Sequence, residues 1–159
     1  MSQVRIALVG TGAFGIKHLD ALKNIDDAQV VCLVSNDLDN VKSVAEKYGV
    51  ARYTTDMAEM LAMDDVDAVI LCTPTQMHAA QSLQCLKAGK HVEVEIPLAD
   101  NWKDADEVLA AQKASGLVAM VGHTRRFNPS HQWIKKRIDA GELNIQQMDV
   151  QTYFFRRKN

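Results

Sequence analysis

The sequence predicts a doubly wound α/β fold, in which helices cover both faces of a parallel sheet. Three observations favour it: short apolar runs alternate with longer helical patterns, glycines follow several of those helices, and the first apolar run leads into a glycine-rich turn. Apolar runs without polar alternation are typical of strands buried on both faces. A chain of 159 residues is long enough for one domain with its own core.

The first half of the chain contains three predicted strand–helix units. Each strand is a short run that favours β structure, and each helix follows it after a polar or glycine-rich turn. Gly49 ends the second helix, because glycine readily adopts the conformation that closes helices. The strands are predicted at residues 4–9, 30–34 and near 52–53, and the helices at residues 13–25, 41–48 and 56–61.

The second half continues the alternation with a buried strand at residues 68–72. The next helix is predicted to begin with a capping box, in which Thr73 is the cap, Pro74 takes the first helical position and Gln76 completes the box. That helix runs to Ala88. It is followed by a strand at residues 91–94, a helix at 101–115 and a strand at 117–121.

Beyond Gly122 the pattern changes. A helix is predicted at residues 130–140, followed by a segment, 145–155, in which apolar and polar residues alternate. Alternation indicates one covered and one wet face, as in an antiparallel sheet. We therefore expect two domains, residues 1–122 and 123–159, the second holding the first helix and strand of an incomplete α+β domain. Addition of this strand to the edge of the first sheet is the alternative.

The composition disfavours several classes of partner. A net charge of -2 creates no general attraction to nucleic acid or to an anionic membrane. No apolar run approaches the ~20 residues that span a bilayer, and no N-terminal signal pattern is present. The scattered Cys32, Cys72 and Cys85 predict reduced thiols and neither a disulfide framework nor a zinc site. We expect a cytoplasmic protein with no bound metal.

The most informative motif is Gly10-Thr11-Gly12-Ala13-Phe14-Gly15, between the first strand and the first helix. A strand that turns sharply into a helix leaves unpaired N–H groups in a positive field, which suits a pyrophosphate. Gly10 allows the turn, Gly12 allows close approach of the phosphates, and Gly15 allows tight helix–strand packing. The motif predicts dinucleotide binding, with an ordinary turn as the alternative.

Ser35 and Asn36 stand about 20 residues past the glycines, where dinucleotide sites often carry an acidic residue that binds the adenosine ribose. A carboxylate there would repel a 2′-phosphate, whereas hydroxyl and amide groups can donate hydrogen bonds to it. The spacing therefore favours NADP, with NAD still open. The alternative is that Asn36 or Asp37 caps the following helix, and the two roles are compatible.

Pro97 follows a predicted strand at its carboxyl end, where a cis bond would turn the chain sharply at the expected ligand crevice. Together with other motifs in the same order, this segment resembles the glucose-fructose oxidoreductase/inositol dehydrogenase/MocA family. The matching pieces span nearly the whole chain: the glycine loop, Thr73-Pro74 followed by His78, Gly89-Lys90-His91-Val92, Glu95-Ile96-Pro97-Leu98-Ala99, and Arg126-Phe127-Asn128-Pro129.

The resemblance implies a Rossmann-fold dehydrogenase that binds a nicotinamide dinucleotide. It implies that Glu95 contacts the cofactor ribose, with a lysine partner as the alternative. It also implies that His78 lies near the nicotinamide, with a half-buried polar contact as the alternative. The cofactor site is expected to contain Gly10, Thr11, Gly12, Ala13, Phe14, Ser35, Asn36, Cys72, Thr73, Pro74, His78, Glu95 and Pro97.

One position departs from the family pattern. The family has a lysine that assists proton transfer where this chain has Ile96, and isoleucine has no titrating group. Either the chain is a non-catalytic relative, or it belongs to a branch whose substrate needs no lysine. For the second case we expect His123 and Glu95 to take part in catalysis.

Three runs, residues 72–78, 94–100 and 122–129, are similar to a branch of the family that oxidises the cyclic hemiacetal of a dicarboxylic acid in aromatic-acid breakdown. A hemiacetal hydroxyl is more acidic than that of a sugar, so a lysine is less needed. Arg125 and Arg126 could bind the dicarboxylate through bidentate hydrogen bonds. Ordinary surface charges are the alternative for these arginines.

Three functional hypotheses therefore remain: this dehydrogenase, a sugar or polyol dehydrogenase of the same family, and a dinucleotide-binding module without turnover. The family completes its substrate site with a C-terminal open-faced sheet and a histidine-bearing helix. We therefore expect this chain to bind NADPH with little turnover, as part of a longer enzyme that forms a dimer or tetramer.

Overall fold

Residues 3–151 are described by a computed structural model, in which a parallel sheet alternates with helices. The strands are β1 (Val4–Val9), β2 (Ala28–Val34), β3 (Arg52–Thr54), β4 (Ala68–Leu71), β5 (His91–Val94) and β6 (Ala119–Val121). The helices between them are α1 (Ala13–Leu22), α2 (Leu38–Tyr48), α3 (Met57–Leu61), α4 (Thr75–Lys87) and α5 (Trp102–Ser115). The six strands run parallel in the order β3-β2-β1-β4-β5-β6, which confirms the predicted doubly wound fold.

The sheet has a hydrophobic core on each face, because successive strand residues point in opposite directions. On one face, Val9 and Leu71 pack in a cluster that α3, α4 and α5 cover. On the other face, Leu8 and Ile70 pack against Leu19 and other residues of α1 and α2. Each fully buried Leu or Val side chain contributes about 2 kcal/mol. Unbroken apolar runs therefore become strands that are buried on both sides.

A helix cap explains why the observed start of α2 differs from the predicted one. The backbone N–H of Asn40 donates to the Asp37 carboxylate at 3.0 Å, so α2 begins at Leu38, three residues earlier than predicted. Helix α1 ends at Leu22 and does not reach Ile25. At the end of α5, Gly116 has a positive φ of 67°, which is the left-handed conformation that commonly ends a helix.

The chain divides into two compact units at Gly122. In the second unit, a 3₁₀ turn (Thr124–Phe127) precedes α6 (Pro129–Asp139), where Asn128 accepts a hydrogen bond from the backbone of Ser130. The strand predicted at 145–155 is wrong over residues 145–151, which pair with no strand among residues 3–151. Extended backbone becomes a strand only beside a hydrogen-bonding neighbour. Its remaining residues, 152–155, lie outside the described part of the chain.

None of the helices within residues 3–151 combines the length and apolar composition needed to span a bilayer. The three cysteines are free thiols. In the same residues, no cluster of three or more His, Cys, Asp or Glu side chains is arranged to hold a metal ion.

Candidate functional site

The carboxyl ends of β1, β2 and β4 surround a cavity of about 520 Å³. The sheet extends in opposite directions from β1 at this point, which is where doubly wound folds bind ligands. Predicted cofactor residues that line the cavity are Gly10, Thr11, Gly12, Ser35, Asn36, Cys72, Thr73 and Pro74. Sequence reasoning did not select the six other lining residues, which are Val9, Val34, Thr55, Met57, Met77 and Gln81.

Each of the three loop glycines is explained by a different feature of the structure. Gly10 has a φ of +101°, and a Cβ on it would lie 2.5 Å from the carbonyl oxygen of Cys72. A Cβ on Gly15 would lie 1.9 Å from the carbonyl oxygen of Gly10. Gly12 differs from both, since a Cβ there would meet no atom within 4 Å. The backbone at Gly12 therefore borders open space, as a close approach by phosphate requires.

The first turn of α1 is open to an anion. In the part of the chain that the structure describes, no side chain caps this turn, and no acidic residue lies in it. Its unpaired N–H groups carry the positive end of the helix dipole. Beside this turn, the buried hydroxyl of Thr11 bonds to the Asn40 side chain, while Phe14 is exposed beneath the ammonium group of Lys17. The uncapped turn and the open space at Gly12 fit a dinucleotide pyrophosphate.

Among the residues after β2, one caps the following helix and others offer hydrogen-bond donors to the cavity. The Asp37 carboxylate accepts from the backbone of Asn40, as the predicted capping alternative requires. Asn36 is exposed, and its amide has no hydrogen-bond partner among residues 3–151. Ser35 lies at the cavity wall, and its backbone N–H donates to the carbonyl of Thr54 at 3.3 Å. Hydroxyl and amide donors therefore border this end of the cavity.

The start of α4 differs from the predicted capping box. Pro74 is itself the cap residue, with an extended backbone, and it provides no side-chain hydrogen bond to the first turn. The Thr73 hydroxyl instead donates to the Gln81 side chain at 2.5 Å, so it is not available as a helix cap. Gln76 is exposed. The polar pair of Thr73 and Gln81 lines the cavity wall.

His78 connects the loops that follow β4 and β5. Its ring nitrogens lie 2.7 Å from the carbonyl oxygens of Pro97 and Thr73. The residue is only 1% exposed, so the predicted half-buried contact is in fact fully buried. Because carbonyl oxygens only accept hydrogen bonds, the imidazolium form satisfies both contacts and a neutral ring satisfies one. The Ile96–Pro97 peptide bond in this loop is cis, as predicted.

Within residues 3–151, Glu95 pairs with a histidine and not with a lysine, so the lysine alternative is wrong there. Its Oε1 lies 2.7 Å from Nε2 of His18 on α1, and the two side chains are 15% and 21% exposed. The Glu95 backbone N–H donates to the carbonyl of Leu71 at 3.0 Å, which holds the residue beside the end of β4. Sequence reasoning missed His18, whose only signal is its helical position three residues after Gly15.

A second carboxyl, Glu93, lies close to this pair. Burial raises its pKa, His18 opposes the shift, Glu95 adds to it and His78 opposes it. Burial also raises the pKa of the nearby Cys72 thiol to about 12, with contributions from Glu93 and Glu95. The raised pKa favours the neutral thiol of Cys72 at this wall of the cavity.

The second unit presents a cationic groove of its own. His123, Arg125 and Arg126 are exposed on and before the 3₁₀ turn, where the Arg126 backbone donates to the carbonyl of His123 at 2.9 Å. The groove next to this turn has a volume of about 920 Å³. Arg125 and Arg126 line it as part of a larger set that the sequence analysis did not select: His131, Gln132, Lys135 and Lys136. Of these, Lys135 is paired with Asp139.

Comparisons with known sequences give a consistent result for both units. Residues 4–123 match the family described as "Oxidoreductase family, NAD-binding Rossmann fold", and residues 129–159 match "Bacterial oxidoreductases, C-terminal". A 4-carboxy-2-hydroxymuconate-6-semialdehyde dehydrogenase of a Sphingobium species is 65% identical over 98% of this chain and 50% of its own length. A myo-inositol 2-dehydrogenase of Thermotoga maritima is 32% identical over 88% of this chain and 42% of its own.

Solved dehydrogenase structures also resemble this chain. The scyllo-inositol dehydrogenase of Lactobacillus casei, crystallised with NAD(H) and scyllo-inositol, is 26% identical and superposes with a TM-score of 0.85. The match covers 89% of this chain and 42% of that one. This chain thus spans half or less of the length of the relatives that it matches.

Proposed function

The chain belongs to the NAD-binding Rossmann-fold oxidoreductases of the glucose-fructose oxidoreductase/inositol dehydrogenase/MocA family, and from this premise we propose that it serves an NADP-dependent dehydrogenase. The proposed substrate is the cyclic hemiacetal of 4-carboxy-2-hydroxymuconate-6-semialdehyde, and the product is 2-pyrone-4,6-dicarboxylate, in the protocatechuate 4,5-cleavage pathway. The observation that carries this proposal is the 65% identity with the Sphingobium enzyme. We further propose that the full-length protein is a cytoplasmic dimer or tetramer, as the family resemblance implies.

The cavity beside β1 supports the cofactor part of the proposal. The uncapped N-terminus of α1 and the bare backbone at Gly12 would hold the pyrophosphate. Ser35 and the Asn36 amide would donate hydrogen bonds to the 2′-phosphate of NADP, since the Asp37 carboxylate is engaged as a helix cap. When bound, the nicotinamide supplies the acceptor for the hydride that leaves the substrate carbon.

The proton released by the oxidation needs an acceptor other than position 96, where isoleucine is 49% exposed. We assign this role to the Glu95 carboxylate, oriented by His18, with His123 as a second candidate. A hemiacetal hydroxyl suits such an acceptor because it is more acidic than a sugar hydroxyl. The two carboxylates of the substrate match the guanidinium groups of Arg125 and Arg126, which can form bidentate hydrogen bonds.

A calorimetric titration of this chain with NADPH and NADH tests the cofactor part. We expect both to bind and NADPH to bind more tightly. Failure of both to bind would contradict the proposal, and a preference for NADH would contradict the role given to Ser35 and Asn36. The substrate part is tested with the full-length protein by following NADPH formation from the semialdehyde, with myo-inositol as the comparison substrate. Turnover of myo-inositol alone would favour a polyol dehydrogenase.

Ile96 favours a second candidate function, a dinucleotide-binding module without turnover. Isoleucine provides no titrating group in the loop that contains the cis bond, where the family resemblance implies a lysine. The same assay separates the candidates. NADPH binding by a full-length protein that oxidises neither substrate would support the module, whereas turnover of the semialdehyde would exclude it.

A further inference from the structure

Glu93 does not line the cavity beside β1, and the proposed function gives it no role. It lies in β5 between Ile70 of β4 and Met120 of β6. Its Oε2 atom is buried and has no hydrogen-bond partner among residues 3–151. An ionised carboxylate in such a position would lack the hydrogen bonds that offset its desolvation. The geometry therefore favours the neutral acid.

The space beside Glu93 is shaped by Gly122. A Cβ added to Gly122 would lie 2.5 Å from Oε1 of Glu93, so the carboxyl occupies the volume that any larger residue would need. The Gly122 backbone N–H donates to the carbonyl of Val94 at 2.8 Å, which holds it beside β5. The Glu93 carboxyl thus fills the space that is available because residue 122, after β6, has no side chain.

The titratable groups near Glu93 come from four elements. They are His18 on α1, the Cys72 thiol after β4, His78 on α4, and Glu95 after β5. On the side of β6, Met120 and Gly122 carry no charge. Two carboxyls that interact in a buried setting do not both ionise readily, and the more deeply desolvated one keeps its proton. Burial raises the pKa of Glu93, whereas Glu95 has an imidazole partner at 2.7 Å.

We propose that Glu93 is a positioning residue of the dehydrogenase site, and that its neutral form leaves Glu95 as the ionised carboxyl held by His18. This inference rests on the proposed function. In the reaction, the hydroxyl O–H bond breaks and its proton passes to a Glu95 oxygen. The C=O bond forms, and the hydride leaves for NADP, which is the oxidant. A second carboxylate at residue 93 would repel the Glu95 charge and compete for His18, with no lysine at residue 96 to compensate.

The ionisation of Glu93 can be measured directly in this chain. We would follow the carboxyl ¹³C resonances of labelled glutamates by NMR from about pH 4 to about pH 9, which brackets the ordinary value of about 4.3. One resonance should titrate above the ordinary range, and Glu93→Gln should remove it. Glu95→Gln should move its midpoint down and His18→Gln should move it up. The control Glu46→Gln, on the exposed surface of α2, should leave it unchanged.

The NMR signals of His18 distinguish a positioning role of Glu93 from a merely structural one. In the wild type, the ring ¹⁵N resonances of His18 should show an inflection at the Glu93 midpoint, because ionisation of Glu93 disturbs the Glu95 pair. Glu93→Gln should abolish that inflection. Glu93→Met, neutral and similar in length, repeats the test if the glutamine variant does not fold.

An NADPH titration run beside these measurements separates the two possible failures. Absence of NADPH binding in the wild type would overturn the proposed function, and with it the role given to Glu93. Intact NADPH binding, together with a Glu93 resonance in the ordinary range or a His18 signal that ignores Glu93, would overturn the inference alone.

Discussion

Replacing Gly15 with alanine would place a methyl carbon 1.9 Å from the backbone oxygen of Gly10. The obstacle is backbone, so relief requires movement of α1 or of the glycine loop. Overpacking of this kind lowers the free energy of unfolding by about 3 kcal/mol, and the higher helix propensity of alanine raises it by about 1 kcal/mol. We expect a net loss of about 2 kcal/mol, which corresponds to a fall in Tm of about 6 °C for a chain of this size.

Gly12→Ala is the matched control, because the same methyl group there meets no atom within 4 Å. The backbone at Gly12 is extended, with φ of −75°, so alanine introduces no strain. We expect its stability to stay within about 0.5 kcal/mol of the wild type. The methyl group would nevertheless occupy the space proposed for the pyrophosphate, and we expect NADPH affinity to fall at least tenfold, about 1.4 kcal/mol.

Thermal unfolding by circular dichroism and calorimetric titration with NADPH check both variants. The two substitutions should separate the two properties: Gly15→Ala lowers Tm, and Gly12→Ala lowers affinity at unchanged Tm. A Gly15→Ala variant as stable as the wild type would refute the packing argument. NADPH binding by Gly12→Ala at wild-type affinity would refute the assignment of the open space to the phosphates.

Three further predictions follow from other parts of the structure. Asn36→Asp should weaken NADPH binding at least about tenfold and spare NADH, since a carboxylate would repel the 2′-phosphate, and equal losses in calorimetry would contradict that role. The Arg5 guanidinium holds the pKa of Asp67 below its usual range, so Asp67→Asn should lower Tm near pH 6, with the deficit shrinking as the pH falls below about 4. A constant deficit would exclude the ion pair as its cause. Burial raises the pKa of all three thiols, to about 11 for Cys32 and about 12 for Cys72 and Cys85, so a thiol reagent at pH 8 should modify only unfolded chains. Rapid modification of the folded protein would contradict the prediction that its thiols are unreactive.

The sheet could be predicted because its signals are local. A buried parallel strand is a continuous apolar run, and the residues that cap or stop helices lie next to them in the sequence. The strand expected at 145–155 depended on a partner, and alternation alone does not provide one. The capping box at Thr73 failed for a similar reason, because Gln81 offered the hydroxyl a better-placed acceptor eight residues away.

The contacts of the candidate site were harder to predict, because they join distant segments. The glycine loop and the residues after β2 and β4 have spacing rules, and they line the cavity. The partner of Glu95 is 77 residues away in the sequence, and only the fold brings His18 to it. Glu93 had no signal either, since a single acidic residue in a short strand usually faces solvent. The burial of its carboxyl oxygen becomes visible only in the structure, where Gly122 lies beside it.

Two imidazoles connect the segments that follow β4 and β5 with the helices beside them. His78 joins the carbonyls of Thr73 and Pro97, and His18 joins α1 to Glu95. Both loops therefore depend on side chains that lie outside their own segments. A site that must hold reacting groups in a fixed geometry gains from such support, because loops without it sample many conformations. Ile96 lies between Glu95 and Pro97, the two residues held in this way. If the lysine that the family resemblance implies belongs at this position, isoleucine stands there in a loop whose flanking residues are anchored, and we infer altered chemistry in preference to loss of the site.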